Sequence, residues 1–267
     1  MEIKLQLGPL IFRVQTDSEE LFSCLREKLG HLSHSSTRRC DHTLLVHCKN
    51  CNGHPPLPLC EFMKKHHEQF ADSSISEVNI FVDFYDRSNE ALWKSDLPRG
   101  FLHALRVLIE HWMLSFAGLC FHASTISDEK QSSLLCLGSS GAGKSTISNL
   151  AGAAFSDEGS IVIRGKTGWR AAPSPFWSNS TAKAVTHQNT LVGCIFLHHS
   201  KQNSLVKKLP TQAITGLLQN MINIERSPKV TSTILTMACQ LANELPVYDF
   251  YFLPEQSAID YLWSRFL

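Results

Sequence analysis

Apolar and polar positions alternate at the start of the chain, which predicts two strands over residues 2–7 and 10–15 with a Gly8-Pro9 turn between them. The spacing then becomes helical. Leu21, Phe22, Leu25 and Leu29 share one face, and Asp17 stands where an N-cap is expected. Residues 32–39 are rich in Ser and His and read as loop, while 43–48 read as a strand. Three prolines within 52–59 make that segment a connection. Residues 78–85 (VNIFVDFY) are β-branched and aromatic, hence a strand. A long helix is predicted over 99–119, with an apolar stripe that includes Phe101, Leu105, Leu108, Trp112 and Phe116.

Beyond Gly118 the order changes. Strands are expected at 121–126 and 133–137 around a polar turn at 127–131, followed by a glycine-rich stretch and a helical segment at 144–154. Residues 160–164 and 169–172 read as a hairpin around Gly165-Lys166-Thr167-Gly168. An apolar strand at 191–197, helices at 211–223 and 230–242, a strand at 247–252 and an amphipathic helix at 255–266 complete the chain. The expected organisation is a small N-terminal α+β domain over 1–118 and a larger domain over 119–267, mixed α/β throughout.

With 267 residues, 43% hydrophobic and 18% charged, the chain can bury a substantial core. Its formal net charge of +1 gives no general attraction to nucleic acid or anionic membrane, so neither is expected as a partner. An anionic ligand must be recognised locally. The longest apolar run, around 107–121, is broken by Glu110, His111 and Ser115 and is too short to span a bilayer. The N-terminal segment lacks the apolar centre of a signal peptide, so a cytoplasmic location is the default. In that reducing compartment the nine cysteines are expected as free thiols.

Gly138-Ser139-Ser140-Gly141-Ala142-Gly143-Lys144-Ser145 fits the G-x-x-x-x-G-K-S/T pattern of a P-loop. Glycines let successive backbone N–H groups turn inward toward phosphate oxygens. The helix that follows, beginning Ser145-Thr146, adds its unpaired N–H groups and positive dipole end. Lys144 is placed to reach the β- and γ-phosphates, and the Ser145 hydroxyl to ligate Mg2+. A chance match occurs in about one random chain of this length in a hundred. Here an apolar strand precedes the loop and a helix follows it, which is the context the motif requires. ATP with Mg2+ is therefore the expected ligand, although no base-reading motif separates ATP from GTP.

Asp157 and Glu158 lie shortly after that helix, where a chain reversal returns them toward the phosphates as metal ligand and general base. The alternative is a solvated acidic turn closed by Gly159. His122, on the strand before 133–137, could assist proton transfer or meet phosphate; a half-buried strand histidine is the plainer alternative.

Together, His122-Ala123, the 138–145 loop and Ser156-Asp157-Glu158-Gly159 resemble the catalytic domain of HPr kinase/phosphorylase and its wider group of related proteins. The resemblance covers roughly residues 120–267. It implies a P-loop domain of the phosphoenolpyruvate-carboxykinase type and ATP-dependent phosphorylation of a serine on a peptide or protein. Residue by residue, it implies phosphate and Mg2+ contacts for Lys144 and Ser145. It implies Asp157 as the base that takes the serine proton, Glu158 at the second acidic position helping the metal, and His122 near the phosphates. Glu158 replaces the family's usual Asp, and no arginine-rich segment follows the acidic pair. Arg164 or Arg170, the nearest arginines, could supply a cation to the transition state, although a hairpin arginine is more often simply solvated. These departures argue against HPr itself as the substrate and against the reverse phosphorylase reaction, and the small N-terminal domain, beginning IKLQLGPLIFRVQ, resembles the branch that tailors ribosomally made precursor peptides more than the HPr regulators. Homo-oligomers are common in the family.

Other signals carry less. Cys40, His42, His47, Cys48, Cys51, His54 and Cys60 cluster in sequence, but no second pair has zinc-ligand spacing, so packing or free thiols are expected. His198-His199 with Lys201, Lys207 and Lys208 reads as a solvated loop, with contact to the nucleotide or the acceptor as the alternative. A regulatory nucleotide hydrolase and a kinase of a small-molecule hydroxyl are the alternatives to a serine kinase.

Overall fold

The computed structural model describes residues 1–35, 39–49, 77–83, 99–222 and 227–266. The protein is mixed α/β and, among the described residues, has two sheets and six α-helices. It divides into two compact units, Met1–Ser115 and Phe116–Leu267.

In the first unit, β1 (Glu2–Leu7) and β2 (Leu10–Thr16) form an antiparallel hairpin whose inward positions alternate. Helix α1 (Glu19–Leu29) then crosses over to β3 (His42–Lys49), which runs parallel to β2, and β4 (Glu77–Asp83) runs parallel to β3. The cap of α1 is Ser18, not Asp17: the Ser18 hydroxyl accepts the N–H of Leu21 at 3.1 Å. Helix α2 (Arg99–Leu114) contributes Trp112, which packs on Phe12 and stacks on the His42 ring at 4.3 Å. Of the Cys/His cluster, Cys51, His54 and Cys60 lie outside the described residues.

Helix α2 ends at Leu114, five residues short of the sequence expectation. In the second unit, Ala117 is left-handed at φ 52° and Gly118 opens a strand, β5 (Gly118–Phe121). Among its described residues this unit has ten strands. They are β5, β6 (Ala123–Ser127), β7 (Ser132–Leu137), β8 (Ala153–Ser156), β9 (Gly159–Gly165), β10 (Gly168–Phe176), β11 (Lys183–Ala184), β12 (Asn189–His199), β13 (Ser204–Lys207) and β14 (Val247–Phe252). The order along the sheet is β11-β8-β6-β7-β12-β10-β9-β5, with β14 branching from β12 and β13 pairing with β14. Two strands that sit near opposite ends of this order, β5 and β6, are separated by a single residue, His122. Their facing ends are thus within about 7 Å, so the sheet must curl on itself.

Helices α3 (Lys144–Ala151), α4 (Pro210–Asn220), α5 (Pro228–Glu244) and α6 (Gln256–Phe266) complete the unit. The segment 144–154, expected as one helix, breaks at Gly152, which caps α3 at φ 73°, and the chain continues as β8. A core of Ile126, Leu134, Ile147, Ile195, Phe250 and Leu262 joins the sheet to α3 and α6. At about 25 cal/mol per Å2, burying such side chains supplies about 1.5–3 kcal/mol each. No helix among the described residues is long and apolar enough to cross a membrane.

Candidate functional site

Strands β7, β12 and β14 run parallel, so the 138–145 loop leaves β7 beside the carboxyl ends of its neighbours. That is where open α/β sheets hold ligands. The loop needs its glycines. Gly143 has φ 101°, and a Cβ there would meet Phe252 Cζ at 2.7 Å; Gly138 has φ 153°, and its Cβ would meet that of Ala142 at 2.7 Å. His199, at the end of β12, donates from Nε2 to Gly141 O at 2.9 Å and packs on Phe252. The supposed solvated loop therefore braces the glycine turn.

Lys144 is buried, and its ammonium donates to Gly138 O (2.9 Å) and Ser139 O (3.1 Å). Burial lowers its pKa, opposed by the negative charges of Glu158 and then Asp157. The amine thus lies within the field of both carboxylates at the mouth of the loop.

Asp157 and Glu158 form the two-residue junction between β8 and β9, and His122 forms the junction between β5 and β6. The flanking registers, Phe121 with Ser160 and Thr125 with Ser156, bring the two junctions face to face. His122 Nδ1 and Glu158 Oε1 are accordingly 3.4 Å apart, both partly exposed. The His122 junction is also fixed through its N–H, which Asn220 O accepts at 2.7 Å. Asn220 Oδ1 also accepts the N–H of Gly138 at 3.3 Å, so one residue at the end of α4 ties the loop to the His122 junction.

The two acidic residues differ in kind. Asp157 is 1% exposed and accepts five hydrogen bonds: from Ser145 Oγ (2.7 Å), Ser178 N (2.7 Å), Ser178 Oγ (3.2 Å), Asn179 N (3.0 Å) and Ser180 N (2.9 Å). Burial by itself would raise its pKa, but the bonds from Ser178, Ser145, Asn179 and Ser180 outweigh it and hold the carboxyl below the ordinary aspartate range. So held, Asp157 is a weak proton acceptor and a firm anchor. A serine hydroxyl and a carboxylate oxygen 2.7 Å apart are the hard oxygen donors that Mg2+ takes, so the pair Ser145 and Asp157 fits that cation.

Arg164 and Arg170 do not join this group. Arg164 is five residues along extended chain from Gly159, about 17 Å. Its guanidinium pairs with Glu244 Oε1 at 3.0 Å and covers the Trp169 ring. Arg170 sits across from Ile163, at the same far end of the hairpin. The expectation that either meets the loop fails because the strand carries them away from it.

Several contributors left little trace in the sequence. The 178–180 turn grips Asp157, and Asn149 of α3 holds the next residues through Ser180 Oγ (2.8 Å) and Thr181 N (2.7 Å). Behind the loop, buried hydroxyls join Ser124 to Ser148 at 2.6 Å and Thr125 to Ser160 at 2.7 Å. Beyond the loop, Asp249 accepts from Lys208 Nζ and pairs with His198 Nε2, each at 2.8 Å. Burial acts to raise the Asp249 pKa, but these two partners hold it below the ordinary value. No protein-family model matches the chain, and no curated protein matches it.

Proposed function

We propose that this chain is an ATP- and Mg2+-dependent kinase that phosphorylates a serine hydroxyl of a peptide or protein, with residues 116–267 as a P-loop domain of the phosphoenolpyruvate-carboxykinase/HPr-kinase type. The observation that carries the reading is the joint placement of Lys144 on the first loop carbonyls, Ser145 on Asp157, and Glu158 with His122. A glycine turn alone would bind an anion; the added carboxylate outside the Ser145 pair supplies proton chemistry.

When bound, Mg2+ held by Ser145 and Asp157 would supply charge offset on the β- and γ-phosphates. Lys144 offsets the terminal phosphate from the loop side. The acceptor oxygen forms its bond to the γ-phosphorus as the bond to the ADP oxygen breaks, and the hydroxyl proton passes to the Glu158 carboxylate. His122 orients that carboxylate through the 3.4 Å contact. This reading exchanges the two roles expected from sequence: Asp157, with five donors, organises the cation site, and Glu158 is the base.

One observation favours a second reading. Asp157-Glu158 follows a strand of the same sheet, an arrangement equally suited to activating water, as in a regulatory ATPase. The two separate on the fate of the label from γ-labelled ATP with Mg2+, offered serine peptides, HPr and small alcohols. Label on a peptide serine is the expected result. Free phosphate with no labelled acceptor would move the assignment to the hydrolase.

A further inference from the structure

The geometry points to a cleft beside Gly138 and Ser139 as the acceptor subsite, shaped for an uncharged, hydroxyl- and amide-bearing peptide segment around the target serine. This rests on the kinase reading above. The cleft has a volume of about 490 Å3 and lies between the start of the loop, the end of β12 and one face of α4. That size suits a short segment and not a folded surface.

Position assigns it to the acceptor end. The Lys144 amine rests on the carbonyls of Gly138 and Ser139, which both line the cleft. In a loop of this type the lysine meets the terminal phosphates, while the start of the following helix, here Ser145 and Thr146, lies at the opposite end of the loop sequence. The cleft therefore opens on the side where the γ-phosphate is given up. Asn220 lines it too, and the same residue accepts the His122 N–H, so the cleft wall is continuous with the His122–Glu158 pair.

Chemistry assigns the occupant. Apart from His198, the charged groups on the wall are Lys208 and Asp249, and they neutralise each other: Lys208 Nζ is 2.8 Å from both Asp249 oxygens, with His198 on the same carboxylate at 2.8 Å. A charged side chain entering here loses hydration and meets no unpaired opposite charge. The exposed side of α4 instead presents Thr211, Gln212, Thr215 and Gln219. The Thr215 hydroxyl donates to Thr211 O and Gln212 Oε1 accepts from Leu209 N, so what this face offers hydroxyls and peptide groups is the remaining hydroxyl lone pairs and the amide N–H groups of the two glutamines.

The test uses the full chain and serine peptides whose flanking residues are Gly, Asn and Thr, or Asp, or Lys. The neutral set should have the lowest KM, with either charged set about tenfold higher. Thr215→Trp, at an exposed helix position, should fill the cleft and raise the peptide KM about tenfold while the KM for ATP stays put. A raised ATP KM with an unchanged peptide KM would overturn the assignment and make this a nucleoside subsite. Unchanged values for both, or a preference for a charged set, would also overturn it. If wild type labels no acceptor yet binds Mg-ATP, it is the kinase reading that has failed, and the subsite falls with it.

Discussion

Glu158→Gln is expected to lower phosphate transfer by about a hundred- to ten-thousand-fold, the usual contribution of a general base, while ATP still binds. The change keeps the shape of the side chain and removes its capacity to take a proton. It leaves the Ser145–Asp157 pair intact, so the Mg2+ requirement should not move. Glu158→Asp, which keeps a carboxylate but shortens its reach from His122, should recover part of the rate. Steady-state transfer measured against a saturating acceptor reads both. Full activity in Glu158→Gln, with activity lost only in Asp157→Asn, would return the base role to Asp157.

Asp157→Asn is expected to act on stability and on metal use together. The side chain is buried among five donors, and an amide nitrogen cannot accept from any of them. Leaving buried N–H groups of the 178–180 turn facing that nitrogen costs about 2–4 kcal/mol, which thermal unfolding would show as a Tm several degrees lower. The Mg2+ concentration needed for half-maximal transfer should rise, since one of the two oxygen groups proposed to hold the cation has lost its charge. Acid titration gives an independent sign. The folded carboxyl lies below its unfolded value of 3.8, so the stability it contributes is fully present above that pH and is lost as pH falls through the lower folded value. Wild type should therefore lose stability on acidification below about pH 4, and the variant should lose less over the same interval.

The part of this site that was legible in the sequence is the part whose chemistry is local. The glycine turn, Lys144 and Ser145 are contiguous, and the strand before them and helix after them follow from ordinary apolar spacing. Asp157-Glu158 was legible as a pair, but not which of the two is buried and gripped by donors. That depends on the Ser178-Asn179-Ser180 turn, more than twenty residues away, which reads as any polar turn does. The helix boundary at Ala151 was missed because alanines on both sides of Gly152 favour helix, and the left-handed glycine overrides them. His199 and Asn220 act through backbone carbonyls and amides of the loop, contacts that leave no residue-type signature. The arginines erred in the other direction: closeness in sequence to Asp157 counted for little once β9 carried Arg164 down the strand to Glu244.

The kinase reading stands on phosphate binding by the 138–145 loop through Lys144. Titration calorimetry of ATP into the full chain, with and without Mg2+, beside the same titration into Lys144→Ala, tests it most directly. Wild type is expected to bind ATP, and more tightly with Mg2+. Binding by the variant should be about ten- to a hundredfold weaker, for the loss of a charge-assisted contact. No binding by wild type, or equal affinity in the two proteins, would contradict it.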